Sequence, residues 1–369
     1  MYDSAMSVSR RAFGLFSGAG LLSACAAGRV APRHGIHVPS VRVAANRVTR
    51  VVVGLRPFRP QGYVVRAETL GDKRLVHNYG HGGAGITLSW GTAREAVDMG
   101  FEAGRAHAVI GCGAVGLATA RLLQRRGAAV TVYAKDLPPE TTSNIAGGHW
   151  WPTTVYDDDA VDDAFMQRFH RAVRVAYREF QPMLGAHYGV SWRRNYVISE
   201  RPNPFGRFQE SLRDVAPEMR LLDPGQHPFG NTWVQQYDSM MIEPSIYLQA
   251  VLEDFLTAGG RLEVRAFAAA EEFKALPESV IFNCTGLGAK ALVNDDALMP
   301  IRGQLVVLLP QADLTCNLYA RGGAYAFPRT DGLVLGGTFQ RGNWDLAPDA
   351  RDTGQILDKN ARSFGYLRA

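Results

Sequence analysis

Long apolar runs, repeats and one-sided charge are all scarce in this sequence, and each scarcity removes a class of function. After the N-terminal segment no apolar stretch reaches the length needed to span a bilayer. Lys and Arg number 40 against 35 Asp and Glu, a formal charge of +5. That mild basic excess forms no run or stripe, which sets nucleic acid aside as a partner. Cysteine is nearly absent, and Cys25, Cys112, Cys284 and Cys316 lack the spacing of a metal site or a disulfide framework. No internal repeat or low-complexity tract is present. With 46% hydrophobic residues in 369, the chain can bury a large core and is expected to divide into two domains.

What the chain does have is glycine placed with purpose. Ala108 to Ile110 is a short apolar strand, and Gly111, Gly113 and Gly116 follow at G-x-G-x-x-G spacing where it turns into a helix. Gly111 permits the tight turn, Gly113 lets the backbone approach a pyrophosphate, and Gly116 lets the helix lie close on the sheet. Ala114 and Val115 stand at the helix N-terminus, where phosphates bind. Leu117, Ala120, Leu122 and Leu123 give that helix an apolar face, Gly127 ends it, and Ala128 to Tyr133 is the next strand. This is a β-α-β unit for a dinucleotide.

The first thirty residues read as an address. Ser9-Arg10-Arg11-Ala12-Phe13 precedes a mildly apolar segment, Leu15 to Leu22, which suits a bacterial export signal of the twin-arginine kind. Leu22-Ser23-Ala24-Cys25 is similar to a lipobox, which would make Cys25 a lipid anchor; cleavage after a nearby alanine is the alternative, and both readings stay open.

Residues 31–47 read as a linker. Val48 to Gly54 is a strand that runs into Leu55-Arg56-Pro57-Phe58-Arg59-Pro60, where two prolines hold the chain extended. Arg56 and Arg59 could form a fork for a carboxylate, or be two surface arginines. Tyr63 to Ala67 and Leu75 to Asn78 form a small antiparallel element turning at Gly71-Asp72. Then His77-Asn-Tyr-Gly-His81-Gly82-Gly83-Ala84-Gly85-Ile86-Thr87 places a glycine cluster before a helix running to Met99. His77 and His81 lack a third partner at metal-ligand spacing and read as satisfied polar histidines. Beyond Lys135 and Asp136, the hydroxyls of Thr141, Thr142 and Ser143 could bond phosphate or ribose. Gly147, Gly148 and His149 leave room for a flat ring. Helices are expected over Ala164 to Phe180 and Glu243 to Gly259, with strands between them and again after Arg302.

Together these motifs resemble the D-amino-acid oxidase family of flavoenzymes, which includes D-aspartate oxidase. The resemblance rests on Val109 to Gly116, Ala146 to Pro152, Asn283 to Gly286, Arg302-Gly303-Gln304, Tyr325 to Pro328, Leu335 to Trp344, Leu55 to Pro60 and His77 to Trp90. In that family the last two come at the end of the chain; here they come first, as if the chain were circularly permuted. The resemblance implies an α/β fold: a Rossmann-like FAD-binding domain interleaved with an α+β substrate domain built on an antiparallel sheet. The implied partition is export signal 1–30, FAD-binding segments 48–60, 75–155 and 245–290, substrate segments 61–74, 156–244 and 291–345, and a helical segment 346–369.

It also implies FAD as cofactor and roles for particular residues. Arg56 and Tyr325 grip the substrate carboxylate, and the Gly83 carbonyl accepts from its amine. Gly82, Gly83, Ala84, Gly85, Ile86 and Thr87 line the pyrimidine end of the flavin, and Gly147 to His149 its other face. Lys135 stands where the animal branch has an acidic residue for the ribose, with Asp136 beside it. The family's second active-site tyrosine has no match at its spacing, leaving either Tyr319 as a candidate or a more open site, and Arg321 and Arg329 could select an acidic side chain or be exposed loop arginines. The implied activity is oxidation of D-amino acids by hydride transfer to flavin N5, with oxygen or a membrane quinone as final acceptor. Glycine, sarcosine or another amine is an alternative substrate, and a flavin-binding envelope protein without turnover is an alternative of another class.

Overall fold

A computed structural model describes residues 35–320 and 322–365. The expected export signal with Cys25, the start of the expected linker, Arg321 and the last four residues lie outside the described residues. In chain order the first strands are β1 (Val48–Phe58), β2 (Val64–Leu70) and β3 (Lys73–Tyr79), followed by helix α1 (Gly85–Gly100). The glycine motif then joins β4 (Ala106–Ile110) to α2 (Ala114–Arg125), and β5 (Ala129–Ala134) leads through loops to α3 (Asp163–Phe180). Next come β6 (Val190–Ser199), the short α4 (Arg207–Glu210), β7 (Arg220–Leu222), β8 (Trp233–Ile242) and α5 (Pro244–Thr257). After β9 (Arg261–Val264), β10 (Val280–Asn283) and α6 (Ala289–Leu292), the chain makes β11 (Met299–Leu308) and β12 (Asn317–Ala320). It ends with β13 (Ala324–Arg329), β14 (Gly332–Gly336), β15 (Gln340–Arg341) and α7 (Ala350–Phe364).

These strands form two sheets. The six-stranded sheet has the order β2-β3-β10-β4-β5-β9, parallel throughout except for the antiparallel edge strand β2. The nine-stranded sheet runs β1-β11-β14-β13-β12-β6-β8-β7, with β15 paired to β11, and only β12 and β6 are parallel neighbours. Both sheets belong to one compact unit beginning at Ile36.

Two expected assignments change. The segment 48–60 was expected with the nucleotide sheet, but β1 pairs along its length with β11 in the larger sheet. The segment 61–74 was expected with the substrate sheet, but β2 hydrogen-bonds to β3 at the edge of the smaller one. Both corrections come from partners distant in sequence: β1 meets β11 some 250 residues away, and β2 joins its sheet through β3, which lies beside β10 some 200 residues on, and local patterning carries no information on such pairing. Beyond residue 35 the expected linker packs as an arm, with Val38 and Val41 buried against Leu308 and Phe364 and the Val41 amide donating to the Phe364 carbonyl at 3.1 Å.

The helices owe their contacts to side-chain size. In α3, Asp162 caps the first turn by accepting from the Phe165 amide at 2.8 Å. Phe165, Phe169, Val173, Ala176 and Phe180 then lie on one buried face at helical spacing. Against it packs α1, and they approach so closely that a Cβ on Gly91 would lie 2.0 Å from the Ala172 carbonyl oxygen. The C-terminal α7 is anchored by buried Ile356 and Phe364 and by Arg302, which is 2% exposed. Arg302 bonds Asp352 at 2.9 Å and the carbonyls of Asp345 and Ala347 at 2.8 and 2.7 Å.

His77 and His81 are buried in this framework. His77 Nε2 faces Glu68 at 3.0 Å and Nδ1 faces Asn283 at 3.2 Å. His81 stacks on Tyr63 and bonds the Thr92 hydroxyl at 2.9 Å, and burial pushes its pKa down to about 3. The unfolded chain takes up this proton below about pH 6.5 while the folded chain refuses it until about pH 3. The stabilising effect of a neutral His81 is therefore complete above pH 6.5 and is lost as pH falls through that window. Urea unfolding is expected to show a loss between pH 7 and pH 5 that shrinks by about 2 kcal/mol in His81→Asn; an unchanged loss would contradict the burial account.

Candidate active site

The parallel strands of the smaller sheet end at a cavity of about 940 Å³ that extends to the face of the larger sheet. Ligands in such sheets sit outside the carboxyl ends of the strands. At the end of β4, Gly111 has φ +114, and a Cβ there would lie 2.5 Å from the Cys284 carbonyl. Gly113, Ala114 and Val115 line the cavity at the N-terminus of α2. The Ser143 hydroxyl accepts from the Ala114 amide at 3.1 Å and a Cβ on Gly113 would meet it at 3.0 Å, so loop 141–145 lies directly on that helix end. Thr141, Thr142 and Ser143 all face the cavity, and so do Lys135 and Asp136, an exposed pair 3.4 Å apart.

Two expected wall residues lie behind the wall. Gly116 is absent from the lining because it faces the strand: a Cβ there would lie 2.0 Å from the Gly111 carbonyl oxygen, which is the packing role expected of it. Ala84 is fully buried in the core beneath the glycine cluster. Its neighbours Gly82, Gly83, Gly85, Ile86 and Thr87 do line the cavity. The cluster is pinned by Thr154, whose carbonyl accepts from the Gly83 amide at 2.9 Å and leaves no room for a side chain at Gly82.

The opposite end is built around Arg56. Its Nη1 is buried and has no hydrogen-bond partner among the described residues. Gly303, across from β1 on β11, leaves it room, since a Cβ there would lie 2.4 Å from that nitrogen. Tyr325 stands beside it on Gly336, where a Cβ would collide with the ring. Burial pushes the Tyr325 pKa up, opposed by the nearby Arg56 and Arg329, so the hydroxyl keeps its proton. The arginine fork, one of the two readings of this stretch, does not form. Arg59 turns away to Asp295, 2.8 Å distant, because β1 ends at Phe58 and Arg59 opens the turn that its carbonyl closes by accepting from the Gly62 amide. Arg329 is no selector for an acidic substrate side chain either: it is buried, clamped on Asp331 at 2.6 and 2.8 Å, and donates to the Ala146 carbonyl at 2.9 Å. It holds the loop that carries Gly147, Gly148 and His149 along the cavity.

Several lining groups were not expected. Arg265 to Ala268 follow β9, with the Arg265 guanidinium 4.6 Å from the Phe267 ring centre, and Thr285 to Gly288 follow β10. The position of both segments just past parallel strands was the available signal. Trp151 also faces the cavity; so does Tyr319, the candidate second tyrosine, which hydrogen-bonds His149.

The model of the family described as FAD dependent oxidoreductase matches residues 36–99 and 107–368. The chain belongs to that family. It is 30% identical to a D-amino-acid oxidase of Dictyostelium discoideum over 69% of its length and 71% of that protein's. Identity is also 30% to a D-aspartate oxidase of Homo sapiens, over 68% and 74% of the two chains. Glycine oxidase from Geobacillus kaustophilus shares the fold, with a TM-score of 0.54 at 15% identity over 71% of this chain and 79% of that one.

FAD is the flavoenzyme's cofactor, and the cavity fits it. Its glycine turn leaves no room for side chains, its helix N-terminus suits a pyrophosphate, and its length runs from Phe267 to Arg56. As a test of the Arg56 end, Gly303→Ala is expected to displace the guanidinium and weaken binding of small carboxylates at least tenfold, with FAD content and melting temperature unchanged. Unaltered carboxylate binding would separate Gly303 from the site.

Proposed function

We propose that this flavoenzyme oxidises D-amino acids to imino acids, which water converts to 2-oxo acids and ammonia. The observation that carries the reading is the unpartnered Nη1 of Arg56 beside the protonated Tyr325 hydroxyl in a cavity that also holds the Gly83 backbone. A guanidinium nitrogen buried without a partner is unfavourable, and a carboxylate relieves it with a charge-assisted hydrogen bond. Arg56 binds the carboxylate, Tyr325 donates a second hydrogen bond, and the Gly83 carbonyl accepts from the amine. Three fixed contacts orient the α-carbon, so chirality is read by which face the α-hydrogen occupies. Bound FAD supplies the two-electron acceptor that takes this hydrogen as hydride. The chain's own share is orientation and exclusion of water.

Two further proposals concern the chain's origin and destination. A circularly permuted order is supported by the two matched stretches meeting at residues 100–106 and by β3, with α1, lying beside β10 in the parallel sheet. Export with a lipid anchor at Cys25 is supported by Arg10-Arg11 and the Leu22 to Cys25 sequence alone.

Purified protein is expected to be yellow, and D-alanine added without oxygen to bleach it while L-alanine does not. Arg56→Ala is expected to retain flavin and to raise the D-alanine concentration needed about a hundredfold. Flavin that no amine bleaches would favour a binding protein, and bleaching by glycine or sarcosine but not D-alanine would move the substrate to the alternative amines.

A further inference from the structure

Behind the cavity wall a chain of buried polar groups joins β12, β8 and β6. Tyr319 is hydrogen-bonded through its hydroxyl to His149 Nδ1, and His149 Nε2 lies 2.8 Å from the Ser239 hydroxyl. Ser239 Oγ lies in turn 2.9 Å from Asn195 Nδ2, and Asn195 Oδ1 accepts from Asn317 at 2.9 Å. Ser239, Asn195 and Asn317 are fully buried. None of these positions except Tyr319 and His149 touches the cavity.

The direction of each hydrogen in this chain follows from its far end. Asn195 Nδ2 also donates to the carbonyls of Arg193 and Tyr237, at 3.0 and 3.2 Å. Carbonyl oxygens only accept, so the nitrogen of the Asn195 amide must face them and with them Ser239. The Ser239 hydroxyl therefore cannot give its hydrogen to Asn195, and among the described residues the acceptor left to it is His149 Nε2. A neutral imidazole that accepts at Nε2 carries its hydrogen on Nδ1. Nδ1 then donates to the Tyr319 oxygen, and the hydrogen of Tyr319 is left for the cavity. The ring is held neutral because burial pushes the His149 pKa down to about 3, and no carboxylate contributes to that shift.

We infer that Ser239 and His149 are positioning residues that lock Tyr319 as a hydrogen-bond donor to the cavity, so that Tyr319 supplies a further donor to the substrate carboxylate. Tyr319 and Tyr325 have ring centres 6.0 Å apart, on the same end of the cavity as Arg56. This makes His149 a part of the substrate end, through Tyr319, instead of a flavin contact alone. The inference rests on the reading that a carboxylate binds at Arg56.

The lock is tested with the FAD-loaded enzyme and propionate, a carboxylate without an amine, its binding followed through the flavin absorbance. Tyr319→Phe and Ser239→Ala are each expected to weaken propionate roughly tenfold. The double variant is expected to be no weaker than Tyr319→Phe, because both changes remove the same donor. Wild-type affinity in Ser239→Ala, or losses that add, would overturn the lock. Nitrogen-15 spectra of histidine-labelled wild-type enzyme, with His149 assigned through His149→Gln, give a check that needs no Ser239 variant: a hydrogen on Nδ1 and a bare Nε2 are expected, and the opposite tautomer would overturn it. If D-alanine bleaches the enzyme and propionate ignores Ser239, the lock fails alone. If propionate obeys the lock while no D-amino acid bleaches the flavin, the lock stands and the oxidase reading fails.

Discussion

Two arginines on neighbouring strands meet opposite fates, and the site depends on the contrast. Arg302 on β11 is 2% exposed, and a carboxylate, two backbone carbonyls and two glutamines satisfy it, which fastens the C-terminal stretch to the sheet. Arg56 pairs with the adjacent Ile301, yet its Nη1 is buried with no partner among the described residues. Leaving a buried donor of a charged group unsatisfied costs more than an ordinary hydrogen bond contributes. A fold that keeps such a group, and keeps a glycine beside it to leave it space, has a place prepared for an anion.

The rest of the cavity extends that logic with little charge. Glycines bring backbone against the phosphate-binding helix end and against Thr154, while Tyr325, Phe327, Trp151 and Tyr319 give the substrate end aromatic walls. Arg329, the other buried arginine nearby, is neutralised by Asp331 and spends its remaining donors on the Ala146 loop. Among the described residues, Arg56 is thus the arginine at this end left without an acidic partner.

How far the sequence disclosed this depends on the range of each interaction. The β4–α2–β5 unit was legible because Gly111, Gly113 and Gly116 act within six residues of one another, and the amphipathic helices α3 and α5 because their spacing is local. The hairpin of β2 and β3 was legible from Gly71-Asp72. Its sheet was not, since membership depends on β10, some 200 residues further along the chain. Arg56 was found through a motif, but Arg59 turns away because the strand stops at Phe58, an end that the continuous proline-rich stretch did not reveal. The bond between Tyr319 and His149 spans 170 positions, and no local pattern announces it. Lys135, which looked anomalous as a residue type, is an exposed side chain at the cavity rim paired with Asp136, and the strand ends around it do the shaping.

The central claim is that the buried Arg56 end of the cavity receives a carboxylate. A crystal structure of the FAD-loaded enzyme soaked with propionate tests it most directly. The account predicts the carboxylate seated between Arg56 Nη1 and the Tyr325 hydroxyl, within about 3 Å of each. A carboxylate bound elsewhere, with Arg56 Nη1 still unpartnered, would contradict it.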